Sequence, residues 1–143
     1  MTPASLATDA FGKARVSYQL PNLPGKVIVT ATSAAFIPVK FGETAVVGPP
    51  ANVAIVSGDN QSTGVNSPLP NPLVVKVTDQ VGNAVSGAAV SFTAPSGTFS
   101  NNPATTDANG NASVAYTAGP NVGQVIITAT SGTGSAQFHE TVQ

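Results

Sequence analysis

The chain repeats itself at a spacing of 98 residues. Asp9, Gly12, Ala14, Val16 and Tyr18 recur as Asp107, Gly110, Ala112, Val114 and Tyr116. Gly25, Val27, Ile28 and the run Thr30-Ala31-Thr32-Ser33 recur as Gly123, Val125, Ile126 and Thr128-Ala129-Thr130-Ser131. Over residues 8–33, 14 of 26 positions are identical at this one offset, and after a single-residue slip Phe41, Glu43 and Thr44 fall on Phe138, Glu140 and Thr141. Two unrelated hairpins sharing turn chemistry would not keep one offset so long, so the chain is a repeat protein or a piece of one. The period is the size of an immunoglobulin-like β-sandwich. Residues 1–46 therefore read as the C-terminal half of one module, and residues 47–143 as a complete second module.

The repeated phrase is a turn followed by a strand. Asp stands first and Gly fourth, which suits a type I turn whose side chain caps its own backbone and whose Gly is free to take positive φ. Asp9 with Gly12, Asp79 with Gly82, and Asp107 with Gly110 all follow this grammar. Alternation then puts Ala112, Val114 and Tyr116 on one face and Ser113, Ala115 and Thr117 on the other. Strands are expected at 14–18, 26–32 and 37–46 in the first copy. In the second they are expected at 52–57, 73–78, 89–94, 112–117, 125–130 and 136–142, with a short one near 98–99 or 104–106. The polar, Pro-rich run 61–72 suits a sheet edge, where proline costs no ladder bond. Seven or so short strands between regular turns make an antiparallel two-sheet sandwich. Its expected core is Val53, Ile55, Val75, Val77, Val90, Phe92, Ala112, Val114, Tyr116, Val125, Ile127 and Ala129. Gly48-Pro49-Pro50 makes a stiff, extended lead-in to the second module.

Composition narrows the function classes. Charged residues are 8% of the chain and the net charge is −1, with five scattered bases and no cysteine. A nucleic-acid or anionic-membrane surface needs a basic cluster, so neither partner is expected. Secreted eukaryotic modules of this size often carry disulfides, so the absence of cysteine points to a bacterial source or to a cytosolic protein. No apolar run approaches a transmembrane length, so no membrane insertion is expected in this segment.

The residues 75–79 (Val-Lys-Val-Thr-Asp), 82–85 (Gly-Asn-Ala-Val), 87–92 (Gly-Ala-Ala-Val-Ser-Phe), Thr106-Asp107 with Gly110 and Ala112, and 123–130 (Gly-Gln-Val-Ile-Ile-Thr-Ala-Thr) together resemble the bacterial immunoglobulin-like group 1 family of invasin- and intimin-type surface proteins. The resemblance covers nearly all of 47–143 and, as a half-copy, 7–46. It implies an immunoglobulin-like β-sandwich used in tandem in extracellular bacterial proteins, often as an adhesin stalk, with no active site and no cofactor. Nothing in the chain corresponds to the lectin-like domain that tips some of these proteins.

Each chemically suggestive residue has a structural reading beside it. His139 is the lone histidine, too few for a multi-histidine metal site, and no nucleophile elbow accompanies the many serines; it reads as a polar residue of the last strand. The carboxylates are Asp9, Glu43, Asp59, Asp79, Asp107 and Glu140. A glycosidase needs two of them about 5–10 Å apart. Asp79 and Asp107 are expected at opposite ends of the sandwich, each capping its own turn. Calcium at Asp59 with Asn60, or at Asp107 with Asn109, would lack the six or more oxygens the ion takes. Tyr18 and Tyr116 sit on the apolar phase of their strands. Phe11, in the turn position Asn109 holds in the second copy, and Phe99 are the expected exposed aromatics and the contact candidates. The sequons at Asn60 and Asn111 are short and common, and a bacterial setting makes their use unexpected.

Three functions follow in descending weight: a non-catalytic spacer repeat of a secreted or cell-surface bacterial protein, adhesin-like; a carbohydrate- or protein-binding module; and an accessory domain of a secreted enzyme. The expected partners are neighbouring modules of the same chain. The half-copy carries an apolar face (Ala14, Val16, Tyr18, Val27, Val29, Ala31) without its partner sheet. It should be partly disordered, pack on the second module, or self-associate through the half-module between chains.

Overall fold

The computed structural model describes residues 5–143, so the first four residues of the 1–46 segment lie outside it. The described residues form strands and turns without a helix. The chain divides into two compact units, Met1–Ala45 and Val46–Gln143.

The second unit is an immunoglobulin-like β-sandwich. Its strands are β3 (Asn52–Ser57), β4 (Ser62–Thr63), β5 (Leu73–Thr78), β6 (Ala89–Thr93), β7 (Thr98–Phe99), β8 (Ala104–Thr105), β9 (Asn111–Val114), β10 (Tyr116–Thr117), β11 (Gly123–Ser131) and β12 (Gly134–Val142). One sheet runs β4-β12-β11-β6-β8 and another β3-β5-β9, while β10 and β7 form a short pair of their own. Alternation builds the layer between them. Leu73, Val75 and Val77 of β5 and Ala112 and Val114 of β9 join Val90 and Phe92 of β6, Val125, Ile127 and Ala129 of β11, and Phe138 and Val142 of β12 in one buried cluster. Val53 and Ile55, expected in the core, are half-buried and pack against it, as edge-strand residues do.

Three features depart from the sequence reading. The expected strand 112–117 is two strands, because at Ala115 the chain leaves β5 and exchanges bonds with Ser100: Ser100 N donates to Ala115 O (2.9 Å), and Ala115 N donates to Ser100 Oγ (3.1 Å). The sheets are not purely antiparallel, since β4 runs parallel to β12 at the sheet edge, within the Pro-rich run. The turns of Asp79 and Asp107 also lie at the same end of the sandwich. Strands β5 and β9 are antiparallel neighbours, with Leu73 opposite Val114 and Lys76 opposite Asn111, so the end of one abuts the start of the other. Val77 N donates to Gly110 O across that corner (2.8 Å).

The first unit is a single hairpin, β1 (Gly25–Ser33) with β2 (Phe36–Ala45). Its register reproduces that of β11 and β12. Val27 faces Glu43 and Val29 faces Phe41, as Val125 faces Glu140 and Ile127 faces Phe138. A register shift between Ala31 and Ser33 absorbs one extra residue, which is the slip seen in the sequence repeat. The expected strand at 14–18 is absent. Its second-copy equivalents bond to β5 and β7, and no such strands stand beside residues 14–18 among the described residues. A pleated sequence without an adjacent ladder has no partner for its N–H and C=O groups.

Candidate functional site

Three aspartates build the same turn. Asp9 N donates to Lys13 O and Gly12 N to Asp9 O, while Asp9 Oδ1 accepts from Phe11 N and Lys13 N. Asp107 does the same with Asn111, Gly110 and Asn109, and Asp79 with Asn83, Gly82 and Val81. Gly12, Gly82 and Gly110 all take positive φ (74°, 94° and 80°), where a Cβ would be strained.

Asp79 has a second task. It is 2% exposed, whereas Asp9 and Asp107 are exposed. Its Oδ2 accepts from Asn83 Nδ2 and from Gly48 N, both at 3.0 Å, and its carbonyl accepts from Asn52 Nδ2. Ala51 N donates to Thr78 O (2.9 Å). On the other side, the lead-in runs against the β11–β12 hairpin. A Cβ on Gly132 would collide with Pro50 O, and one on Gly134 would lie 2.8 Å from Asn52 C. The segment 48–52 is thus held between a buried carboxylate and two glycines that leave it room. Hydrogen bonding to Asn83 is the main cause that holds the Asp79 carboxyl at about 2, with Gly48, Asn83 and Val81 N–H groups adding to it against the opposing effect of burial. Sequence grammar placed Asp79 with the other two turn aspartates; Gly48, 31 residues away, is what separates it.

Glu140 is the second buried carboxylate, and the sequence reading did not single it out. Alternation along β12 turns it inward with Phe138 and Val142, and it is 1% exposed. Oε2 accepts from Gln61 N (2.7 Å), and Oε1 has no hydrogen-bond partner. Gln61 continues the tie: its carbonyl accepts from Thr141 N, and its side chain bridges Gly58 O and Asn71. Glu140 therefore fastens the point where the chain crosses from β3 in one sheet to β4 in the other. Burial raises its pKa above the ordinary 4.5, partly offset by the Gln61 N–H; nearby Asp59 pushes it further up and His139 pulls it down.

The remaining candidates do not converge. His139 lies on the outward phase of β12, where its backbone N donates to Asp59 Oδ1 (2.7 Å) and Nδ1 stands 3.9 Å from the same oxygen. Among the described residues no group of three or more His, Cys, Asp or Glu side chains could hold a metal ion. Phe11 is 86% exposed. Phe99, expected to be exposed, is half-buried instead, its ring 6.0 Å from Phe92 and 5.1 Å from Tyr116. It closes the core beside Tyr116, whose hydroxyl donates to Ser96 O (2.6 Å). No helix among the described residues is long and apolar enough to cross a membrane.

Glu140→Gln is expected to change pH dependence more than fold. A folded-state pKa above the unfolded value adds stability below about pH 4.5 that is lost as pH rises through the folded pKa. The variant keeps an acceptor for Gln61 N and removes the ionisation. Urea unfolding should find it at least as stable as the parent at pH 7, without the parent's gain between pH 7 and pH 4. A parent and variant with parallel pH profiles would contradict this.

Two antiparallel-based sheets over one core define an immunoglobulin-like module. The chain belongs to the bacterial Ig-like domain (group 1) family, whose profile matches residues 52–143. Among solved structures it is similar to domains 4 and 5 of the S-layer protein SbsC (21% identity, TM-score 0.53, 84% of this chain and 66% of that one). It is also similar to a C-terminal fragment of intimin solved with the intimin-binding domain of its translocated receptor (20%, 0.51, 66% and 33%). A third neighbour is a glycosyl hydrolase family 2 member from Bacteroides cellulosilyticus (14%, 0.53, 87% and 18%). The chain spans less than two thirds of each. A search of curated proteins found no match.

Proposed function

We propose that this chain is a non-catalytic spacer from a secreted or cell-surface bacterial protein, adhesin-like in architecture, in which modules follow one another along the chain. The observation that carries this reading is the clamp on residues 48–52. A module that binds its own lead-in through Asp79 and the β11–β12 hairpin passes force from its N-terminal side into both sheets. The S-layer and intimin neighbours support a surface setting. Residues 1–46 read as the C-terminal half of a preceding module, because from Gly25 to Ala31 β1 pairs with β2 in the register of β11 with β12.

Small-angle scattering on several modules in tandem tests the spacer reading: an extended rod is expected, and a compact globule would sink it. Deleting residues 1–45 tests the boundary. Residues 46–143 should still unfold in one cooperative step, and loss of that transition would mean the division is misplaced.

A further inference from the structure

In the second unit the face formed by β11 and β12 is covered. Ile127, Ala129 and Phe138 are fully buried, and Val125 and Val142 nearly so. The matching face of β1 and β2 is largely open: Phe41 is 53% and Val39 55% exposed, with Val27 and Val29 half-buried and Ala45 buried at its end; Val16, the counterpart of buried Val114 in the facing sheet, is 62% exposed. The repeat therefore says what fits this face, because the chain contains its own worked case. In the second copy β3 and β5, with β9, cover this face, while β4 and β6 flank β12 and β11 within the same sheet; of these strands all but β9 come from residues 47–106. The polar key is present too. Glu43 stands opposite Val27, as Glu140 stands opposite Val125, and Thr44 follows it as Thr141 follows Glu140.

We propose that the β1–β2 face is a docking surface for the N-terminal strand set of another immunoglobulin-like module, of the β3-to-β8 kind, and that Glu43 sets its register. Glu43 accepts a backbone N–H from the incoming β4-type strand, as Glu140 accepts from Gln61, and that strand adds in parallel to β2 at Thr44 and Ala45. This rests on reading residues 1–46 as a half-module and adds the residue that selects the partner's alignment. The likeness stops at the hairpin tip. Position 134 is a glycine lying against Asn52, but its counterpart by register is Phe36. The incoming lead-in must pass farther from β1–β2 than segment 48–52 passes from β11–β12.

The test is a chain in which a second copy of residues 47–106 replaces residues 1–8, so that Thr106 joins Asp9 as it joins Asp107. Amide exchange at Val16, Val29 and Phe41 should slow at least 100-fold relative to the parent chain. Glu43→Ala in this extended chain should reverse most of that protection, and Glu43→Gln, which keeps an acceptor oxygen, should restore it. Unchanged protection in Glu43→Ala would overturn the role of Glu43 while leaving the half-module reading intact. No gain of protection in the extended chain, with residues 46–143 still protected, would overturn both. Self-association of the parent chain that the extension fails to abolish would place a different occupant on the face and overturn the docking proposal.

Discussion

Phe138→Ala is expected to destabilise the second module by about 3–5 kcal/mol, while Phe41→Ala leaves it unchanged within about 0.5 kcal/mol. The two residues hold the same place in the repeat, each cross-strand from a β-branched residue on the preceding strand. They differ in what lies above them. Phe138 is fully buried among Val, Ile and Phe side chains from both sheets, and its removal leaves a cavity that surrounding strands fill only in part. Phe41 is 53% exposed and loses little on truncation. Amide exchange on β5 and β11 in the full chain reads the second module separately from the first. Equal losses for the two variants would mean that Phe41 supports the second module and that the units are energetically one.

Asp79→Ala should lower the melting temperature of the second module by an amount on the order of 10 °C, and Asp107→Ala by a clearly smaller amount. Both lose the bonds inside the turn. Only Asp79 also leaves Gly48 N without its acceptor and frees the lead-in. The pH response carries the same signature with a defined sign. A carboxyl held at about 2 when folded contributes stability present above its ordinary value of 3.8, and that stability is lost as pH falls from there through 2. Glu140 works in the opposite sense above about pH 4.5. Stability should therefore peak in mildly acidic solution, with Asp79→Ala flattening the acid limb and Glu140→Gln the neutral one. Thermal unfolding from pH 2 to pH 8 checks both limbs. An acid limb that survives Asp79→Ala would assign it to another carboxyl.

Local chemistry was legible because it is written in consecutive residues. The Asp-to-Gly turns, the strand phases at β5, β6, β11 and β12, and the repeat spacing all depend on neighbours a few positions apart. Composition and the quoted motifs were enough to place the chain in its family. The misses share one cause, which is that they depend on what lies alongside. Residues 14–18 alternate as well as 112–117 do, yet only the latter find β5 and β7 to bond. Asp79 and Asp107 were set at opposite ends because strand adjacency is not written in either turn. Phe99 was expected outside because a two-residue strand does not announce that it lies over Tyr116. Glu140 stood among the carboxylates without a role because one acidic residue in an alternating strand looks the same whether its face meets water or a second sheet.

The sequence by itself determined the repeat spacing, the strand phases and the turn chemistry, since covalent spacing and side-chain period are local properties. Tertiary structure alone decided which of three equivalent aspartates became a clamp, which of two equivalent phenylalanines entered a core, and which glutamate was taken out of water. In each set the residues are the same and the covering chain is not, and burial and long-range hydrogen bonding are properties of that covering chain.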